Sequence, residues 1–347
     1  MTKNELVVEA RNLETHFQSR GSLVNALVGQ TPNVVRALDG IDVSIRKSEI
    51  YGLVGESGSG KSTLGMSLVR MYQPTGGEIH FASKDITNVR GRALKDYRRN
   101  AQIIFQDPYS SLNPRLTIGQ IIEEPLKIHK IGDSAERQRR IRKALDLVRI
   151  SADENIHRYP SDLSGGQRQR VAIARALVLK PKFIVADEPV SMLDVSIQAS
   201  VLEILDDLAR ELGLAVLYIS HDIATVGYIC SHVAVMYMGQ IVEEGTAEDI
   251  LTAPLHPYTQ RLMAAIPSFT PGAKRERVEL KGDVPSPLDM PPGCRFSSRC
   301  PFATELCATV APQLRETSGV HKVRCHLDDT MVVSAHPDLE PPKIIDG

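Results

Sequence analysis

Gly55-Glu56-Ser57-Gly58-Ser59-Gly60-Lys61-Ser62-Thr63 stands between an apolar run, Ile50-Tyr51-Gly52-Leu53-Val54, and a helix-compatible stretch, Leu64-Gly65-Met66-Ser67-Leu68-Val69. The spacing is G-x-x-x-x-G-K-[ST] in a strand-loop-helix setting. Glycines there let successive backbone N–H groups turn inward around phosphate oxygens at the positive end of a helix. On this reading Lys61 reaches the β- and γ-phosphates of a nucleoside triphosphate and Ser62 holds Mg²⁺. The alternative, a glycine-rich turn met by chance, does not explain the flanking strand and helix.

At 347 residues the chain exceeds a typical single core, so two lobes, or a domain with an appendix, are expected. Basic and acidic residues balance at 41 and 42, for a net charge of -1, which excludes a bulk electrostatic pull toward nucleic acid or anionic lipid. The start, Met1-Thr2-Lys3-Asn4-Glu5, lacks the apolar core of a secretory signal. No run approaches the roughly 20 apolar residues of a spanning helix. The expectation is a cytoplasmic protein, attached to a membrane only as a bound subunit.

Before the loop, Leu6-Val7-Val8 and Leu13-Glu14-Thr15-His16-Phe17 suggest a short edge strand; Phe17 suits either stacking on a base or a hairpin core. Residues 18–34 read as an inserted loop, and Val35–Ile45 resumes β-character. Beyond the loop, Ala101-Gln102-Ile103-Ile104-Phe105 reads as a strand that stops at Gln106-Asp107-Pro108, because proline disfavours regular structure at the residue before it. Residues 115–158 turn helical, with Asp133 and Glu136 as a capping box and Ile141, Leu145 and Val148 on one face. The interposed Arg137, Arg139, Arg140, Arg142 and Lys143 fit a solvated face better than a nucleic-acid patch.

Leu163-Ser164-Gly165-Gly166-Gln167 then runs into the helical periodicity of Arg168–Leu177, and a serine with two glycines at a helix start makes a second anion site. Phe183-Ile184-Val185-Ala186 is a short, continuously apolar run of the kind buried in a parallel sheet, and it ends in Asp187-Glu188-Pro189. Acids at a strand's C-terminal end face the ligand crevice of an α/β sheet. Asp187 would support Mg²⁺ and Glu188 would polarise an attacking water. Ser191-Met192-Leu193-Asp194 leads into a helix ended by Gly213. Ala215–Ser220 is the next buried strand, with His221 at its mouth in reach of a γ-phosphate. Val233–Tyr237 and Ile241–Glu243 close as a hairpin. Near 250 the composition shifts to Pro254, Pro257, Pro267, Pro271, Pro285, Pro287, Pro291 and Pro292, which marks an appendix.

Taken in order, Phe17, Gly55–Thr63, Gln106, Leu163–Gln167, Asp187-Glu188, Ser191–Asp194 and His221 resemble the nucleotide-binding cassette of ABC transporters over roughly residues 5–250. FQDPYSSLNPR at 105–115, the Glu188–Gln198 stretch and Leu255-His256-Pro257-Tyr258-Thr259 are similar to the oligopeptide/dipeptide permease ATPase subunits, in their OppF/DppF-like branch. The resemblance implies an α/β P-loop fold, with a RecA-like core, an antiparallel β lobe, a helical subdomain at about 107–160 and a C-terminal extension over 251–347. It implies that ATP and Mg²⁺ lie between two cassettes. Phe17 and Gly55, Glu56, Ser57, Gly58, Ser59, Gly60, Lys61, Ser62 and Thr63 would bind ATP. Ser62, Gln106 and Asp187 would hold Mg²⁺, and Glu188, His221 and Gln106 would act in hydrolysis. Ser164, Gly165, Gly166 and Gln167 would serve the partner's ATP, with Asp194 in the loop between the cassettes. Met192 departs from the alanine usual at its position.

Cys294, Cys300, Cys307 and Cys325 are spaced C-x5-C-x6-C-x17-C, with Cys230 left over. Four thiolates can complete a tetrahedral zinc site or the shell of a cubane iron–sulfur cluster, the spacing decides for neither, and reduced, unliganded cysteines are the third reading. GCRFSSRCPFA with HKVRCHL is similar to the C-terminal extension of peptide-permease ATPases, for which a [4Fe-4S] cluster is implied; Zn²⁺ is the alternative, and His321 and His326 are substitute ligands.

The expected function is therefore an ATPase subunit powering peptide import. It would be peripheral on the cytoplasmic face of the cell membrane, beside a second ATPase subunit as a heterodimer, two transmembrane permease subunits and a solute-binding protein, with no nucleic acid. Related importers carry nickel or glutathione, the nearest alternatives. A non-transport ABC ATPase would carry a long coiled-coil insertion or a second cassette, and neither is present. A regulatory subunit that binds without hydrolysing would not need Glu188 and His221.

Overall fold

The computed structural model describes residues 5–18, 34–264, 288, 290–317 and 319–327. Its strands, in chain order, are β1 (Leu6–Gln18), β2 (Val34–Arg46), β3 (Ile50–Val54), β4 (Gly76–Phe81), β5 (Lys84–Asp85), β6 (Ala101–Ile104), β7 (Phe183–Asp187), β8 (Ala215–Ile219), β9 (His232–Tyr237), β10 (Gln240–Thr246), β11 (Arg315–Glu316) and β12 (Lys322–Val323). They make two sheets. One is antiparallel in the order β2-β1-β4-β5, and the other runs β11-β12-β10-β9-β3-β8-β7-β6. In the larger sheet β9, β3, β8, β7 and β6 are parallel, while β10 and β12 add antiparallel strands at one edge.

The central strands β3 and β8, and β7 up to Asp187, are apolar because both faces are covered, and their two-residue alternation divides one strand between two cores. Phe183, Val185, Leu217, Ile219 and Leu53 pack with Leu13, Leu38 and Ile41 of the antiparallel sheet. Ile184, Ala186, Val216, Tyr218 and Val54 face the other way, into a core shared with Val171 and Leu205 of the covering helices. The layers are thus antiparallel sheet, parallel sheet and helices.

The helical character expected over 115–158 is present as Ile118–Ile128, Ser134–Leu147 and Ala152–Asn155. Asp133 accepts from the Glu136 amide at 2.8 Å, and Ile141, Leu145 and Val148 are fully buried. The arginines of that helix pair with carboxylates: Arg137 with Glu123, Arg139 and Arg140 with Glu136, and Arg142 with Asp153.

One expectation is corrected. The N-terminal strand is not at an edge: β1 is 13 residues long and is flanked by β2 and β4, so its backbone groups are paired on both sides. Within the extension expected over 251–347, β12 pairs with the main sheet, Val323 with Glu243 and Lys322 with Glu244. The loop expected at 18–34 lies, apart from its ends, outside the described residues, as do Pro267, Pro271, Pro285 and Pro287.

Candidate functional site

Every chemically active residue predicted for one nucleotide lies just beyond the C-terminal end of a parallel strand: the glycine loop after β3, Gln106 after β6, Asp187 and Glu188 at β7, and His221 after β8. The loop passes into the helix Lys61–Leu68 through Gly60, whose φ is 107°, and a Cβ there would stand 2.4 Å from the Ala37 carbonyl. Only glycine fits that turn.

Lys61 is 6% exposed, and its Nζ donates to the Gly55 carbonyl at 2.7 Å and the Glu56 carbonyl at 2.9 Å. Burial pushes its pKa down, against the pull of Glu188, Asp187 and Glu56. The ammonium is thus fixed on the loop by neutral acceptors. Ser62 Oγ donates to Asp187 Oδ1 at 3.2 Å. Burial raises the Asp187 pKa, opposed by that hydrogen bond and joined by the Glu188 charge. A hydroxyl and a carboxylate in contact at the end of a phosphate loop are the hard oxygen donors that Mg²⁺ takes.

Glu188 stands at φ 47°, and its amide donates to the Ile219 carbonyl at 2.9 Å. Both carboxylate oxygens are engaged: Gln106 Nε2 donates to Oε2 at 2.7 Å, and His221 Nδ1 lies 3.1 Å from Oε1. These three side chains share a cavity of about 770 Å³ with Ser57, Gly58, Gly60, Lys61, Ser62 and Thr63. That volume suits a nucleotide-sized ligand. Its remaining wall is Val35, Arg36 and Ala37 of β2, Met238 and Gly239 of the β9–β10 turn, and Met290. Phe17 pairs with Val35 in register, which sets it beside this wall, but its ring packs edge-on against Tyr72 at 5.1 Å and does not line the cavity.

Ser164, Gly165, Gly166 and Gln167 do not line it either. They open the helix Gly165–Leu177 with a complete capping box: Ser164 Oγ accepts from the Gln167 amide at 3.3 Å, and Gln167 Oε1 accepts from the Ser164 amide at 3.0 Å. A Cβ on Gly166 would stand 2.4 Å from Ile197 Cγ2, so the glycine lets this helix meet the helix Val195–Leu212 that Asp194 begins. Asp194 is exposed, with Met192 at 59% and Val195 at 81% exposure on either side.

Four cysteines converge elsewhere. Cys294, Cys300, Cys307 and Cys325 line one small cavity with His256, Phe296, Phe302 and His326. Burial raises the thiol pKa of Cys294 and Cys325 and lifts Cys300 to about 11; nearby cysteines add to the shift, and backbone N–H groups two residues on, at Phe296, Leu327 and Phe302, oppose it. Among the described residues no three His, Cys, Asp or Glu side chains gather as a metal ion requires. His326 gives its Nε2 to the Val310 carbonyl at 2.8 Å. His321 is not a substitute ligand: it is buried against Glu243, Nε2 to Oε1 at 2.8 Å, and lies off the cavity. Cys230 is buried in the main core with its pKa raised by burial.

Sequence reasoning missed the contacts that tie the cysteine segment to the glycine loop, Arg299 to Glu56 and Tyr258 to the Glu56 amide. The available signal was the acid itself, since Glu56 in a loop built for anions calls for a counter-charge.

Residues 38–191 match the family model described as ABC transporter, and residues 242–307 match the one described as oligopeptide/dipeptide transporter, C-terminal region. A putative peptide import ATP-binding protein of Brucella ovis is 49% identical over 95% of this chain and 100% of its own length. The dipeptide transport ATP-binding protein DppF of Escherichia coli is 43% identical over 92% of this chain and 93% of its own. Among solved structures, the dimeric post-hydrolysis state of the ATP-binding cassette MJ0796 bound to ADP and Pi superposes with a TM-score of 0.60 at 28% identity, covering 69% of this chain and 98% of that one.

Proposed function

Because the chain belongs to the ATP-binding subunits of ABC-type peptide importers, we propose that it hydrolyses ATP between its own glycine loop and the Ser164–Gln167 turn of a second cassette, at the cytoplasmic face of a membrane. The observation that carries the catalytic reading is Glu188, held at both oxygens by Gln106 and His221 on the wall of the cavity that Lys61 and Ser62 also line.

The chemistry follows from those contacts. The loop amides and Lys61 bind the phosphates. Glu188 accepts a proton from water, Gln106 and His221 hold its carboxylate toward the cavity, and His221 reaches the γ-phosphate. Ser62, Asp187 and Gln106 fit Mg²⁺, which when bound would neutralise phosphate charge. Phe17, beside the β2 wall, serves the adenine ring. Ser164 and Gly166 stand off their own chain's cavity beside the exposed Asp194 face, which supports their use by a partner.

For the four thiols we propose a [4Fe-4S] cluster, a reading supported by the single small cavity that all four line. Backbone N–H groups two residues on favour the thiolate form at Cys294, Cys300 and Cys325, and hydrogen bonds to sulfur are one of the levers that tune such clusters. Cys294, Cys300, Cys307 and Cys325 would hold it, in the extension 251–347. Its part is structural or regulatory, since ATP hydrolysis needs no redox step. Stoichiometric zinc without iron or sulfide in anaerobically purified protein would overturn this assignment.

Among the described residues no helix is long and apolar enough to cross a membrane. Two permease subunits and a solute-binding protein would complete the importer, and a different ATPase subunit would make the cassette pair a heterodimer. The test is to copurify the complex, rebuild it in vesicles and follow uptake of labelled peptides. ATP-dependent peptide entry is expected. Entry of nickel or glutathione and not peptides would refute the solute assignment.

A further inference from the structure

Glu56, the second residue of the phosphate loop, is held at three points. Its amide donates to the Tyr258 hydroxyl at 2.8 Å, and its carbonyl accepts from Lys61 Nζ at 2.9 Å. Its carboxylate receives a two-pronged bond from Arg299, Nη1 to Oε2 at 2.8 Å and Nη2 to Oε1 at 3.0 Å. Arg299 also donates to the Tyr237 hydroxyl at the end of β9, and its side chain is only 5% exposed. It directly precedes Cys300. On the other side of that segment Arg295, next to Cys294, donates to the Met238 carbonyl and to Asp39. The cysteine segment therefore grips the nucleotide site at two places, the phosphate loop and the β9–β10 turn.

We propose that Arg299 and Tyr258 are positioning residues of the phosphate loop, through which the C-terminal segment sets nucleotide affinity. This rests on the loop being the nucleotide site. A carboxylate in a loop that receives a polyphosphate repels it, and Arg299 cancels that charge while the planar fork fixes the side chain. A charge-assisted bond of this geometry is strong because it is largely withdrawn from water. The Tyr258 hydroxyl meanwhile occupies the Glu56 amide, so residue 56 anchors the loop and leaves phosphate contacts to the amides that follow.

Charge cancellation gives a signature that a merely structural brace does not. Removing Arg299 leaves an unpaired carboxylate beside the phosphates. Removing both charges restores the balance. The test is calorimetric titration of the full chain with a Mg²⁺-loaded, non-hydrolysable ATP analogue, with thermal melts of every variant. Arg299→Gln should raise Kd by about tenfold or more, whereas Glu56→Gln with Arg299→Gln should return to within about threefold of the unaltered chain. Arg299→Lys, which keeps the charge and loses the fork, should fall between them. Should Arg299→Gln melt below the assay temperature, the lysine variant and the double variant decide. An unchanged Kd in the single variants, or a double variant as weak as Arg299→Gln, overturns the proposal. Absence of binding by the unaltered chain would instead overturn the nucleotide reading and this proposal together.

Discussion

Glu188→Gln separates binding from chemistry. The amide has the carboxylate's shape. Its oxygen can keep the 2.7 Å bond from Gln106, and its nitrogen faces His221 Nδ1, so the loop at φ 47° has no reason to move. What disappears is the proton acceptor. A positioned general base contributes about 10²- to 10⁴-fold to a rate. That corresponds to about 2.7–5.5 kcal/mol of transition-state stabilisation, and turnover should fall by that range. Binding should not fall with it, because Glu188 carries negative charge on the wall of a cavity meant for a triphosphate. A small opposing effect comes through Lys61, which loses one of the carboxylates that raise its pKa. The assay is phosphate release by the reconstituted transporter, with retained ATP measured on the same sample. Turnover within tenfold of the unaltered complex would refute the assignment of Glu188 as base, and loss of binding in parallel would mean the substitution had disturbed the loop.

Asp187→Asn should abolish Mg²⁺-dependent hydrolysis yet raise the nucleotide-free melting temperature at neutral pH. The folded pKa of Asp187 is raised, so its contribution to stability is present below the ordinary aspartate value and is lost as pH rises through the folded one. Melting curves from pH 3 to 7 should show the unaltered chain losing ground to the asparagine variant; a lower melting temperature for the variant at pH 7 would contradict the sign. Gly166→Val should disrupt the contact with Ile197, which even a bare Cβ would approach to 2.4 Å. ATP-driven association of cassettes, followed by light scattering, should fall further than ATP binding to the isolated chain, and equal losses would count against a role in trans. Glu243 is fully buried and accepts from the Leu255 amide at 2.6 Å, the His256 amide at 2.9 Å and His321 at 2.8 Å. Glu243→Ala strands all three partners and should cost on the order of 3 kcal/mol or more in chemical denaturation; a loss below ~1 kcal/mol would show that water replaces the carboxylate.

The residues proposed to touch one nucleotide were readable because each sits in a short run whose local pattern already constrains it. A glycine loop after an apolar strand, and acids closing another apolar strand, carry their placement within five or ten residues. The Arg299 contact to Glu56 spans 243 residues, and no periodicity or spacing links the two. The placement of β1 was misread for a related reason. Its run LVVEARNLETHFQ has the irregular alternation of an edge, with register shifts at Ala10/Leu13, Leu13/Thr15 and Thr15/His16. Its second neighbour, β4, arrives from beyond the phosphate-loop helix, and only the fold reveals that pairing. The four cysteines could be counted but not placed against each other, since their cavity also takes walls from His256 and Pro257.

On the proposed reading, in which one chain carries half of two sites, folding and chemistry are divided. The Ser164–Gln167 turn satisfies its own helix start through the capping box, and Gly166 closes against Ile197, so the turn is stable without a ligand or a partner. The glycine loop is likewise held complete, by Lys61 on its carbonyls, Tyr258 on its amide and Arg299 on its one acid. Neither half therefore needs the other to fold. On that reading each half would lack a second set of N–H donors opposite the phosphates, and within one chain the Ser164–Gln167 turn does not line the cavity that could use it. A site split in this way would leave each subunit stable while making hydrolysis conditional on association. Coupling to a transporter requires that property, because the energy of closing two cassettes on ATP is available only if neither cassette can complete the reaction alone.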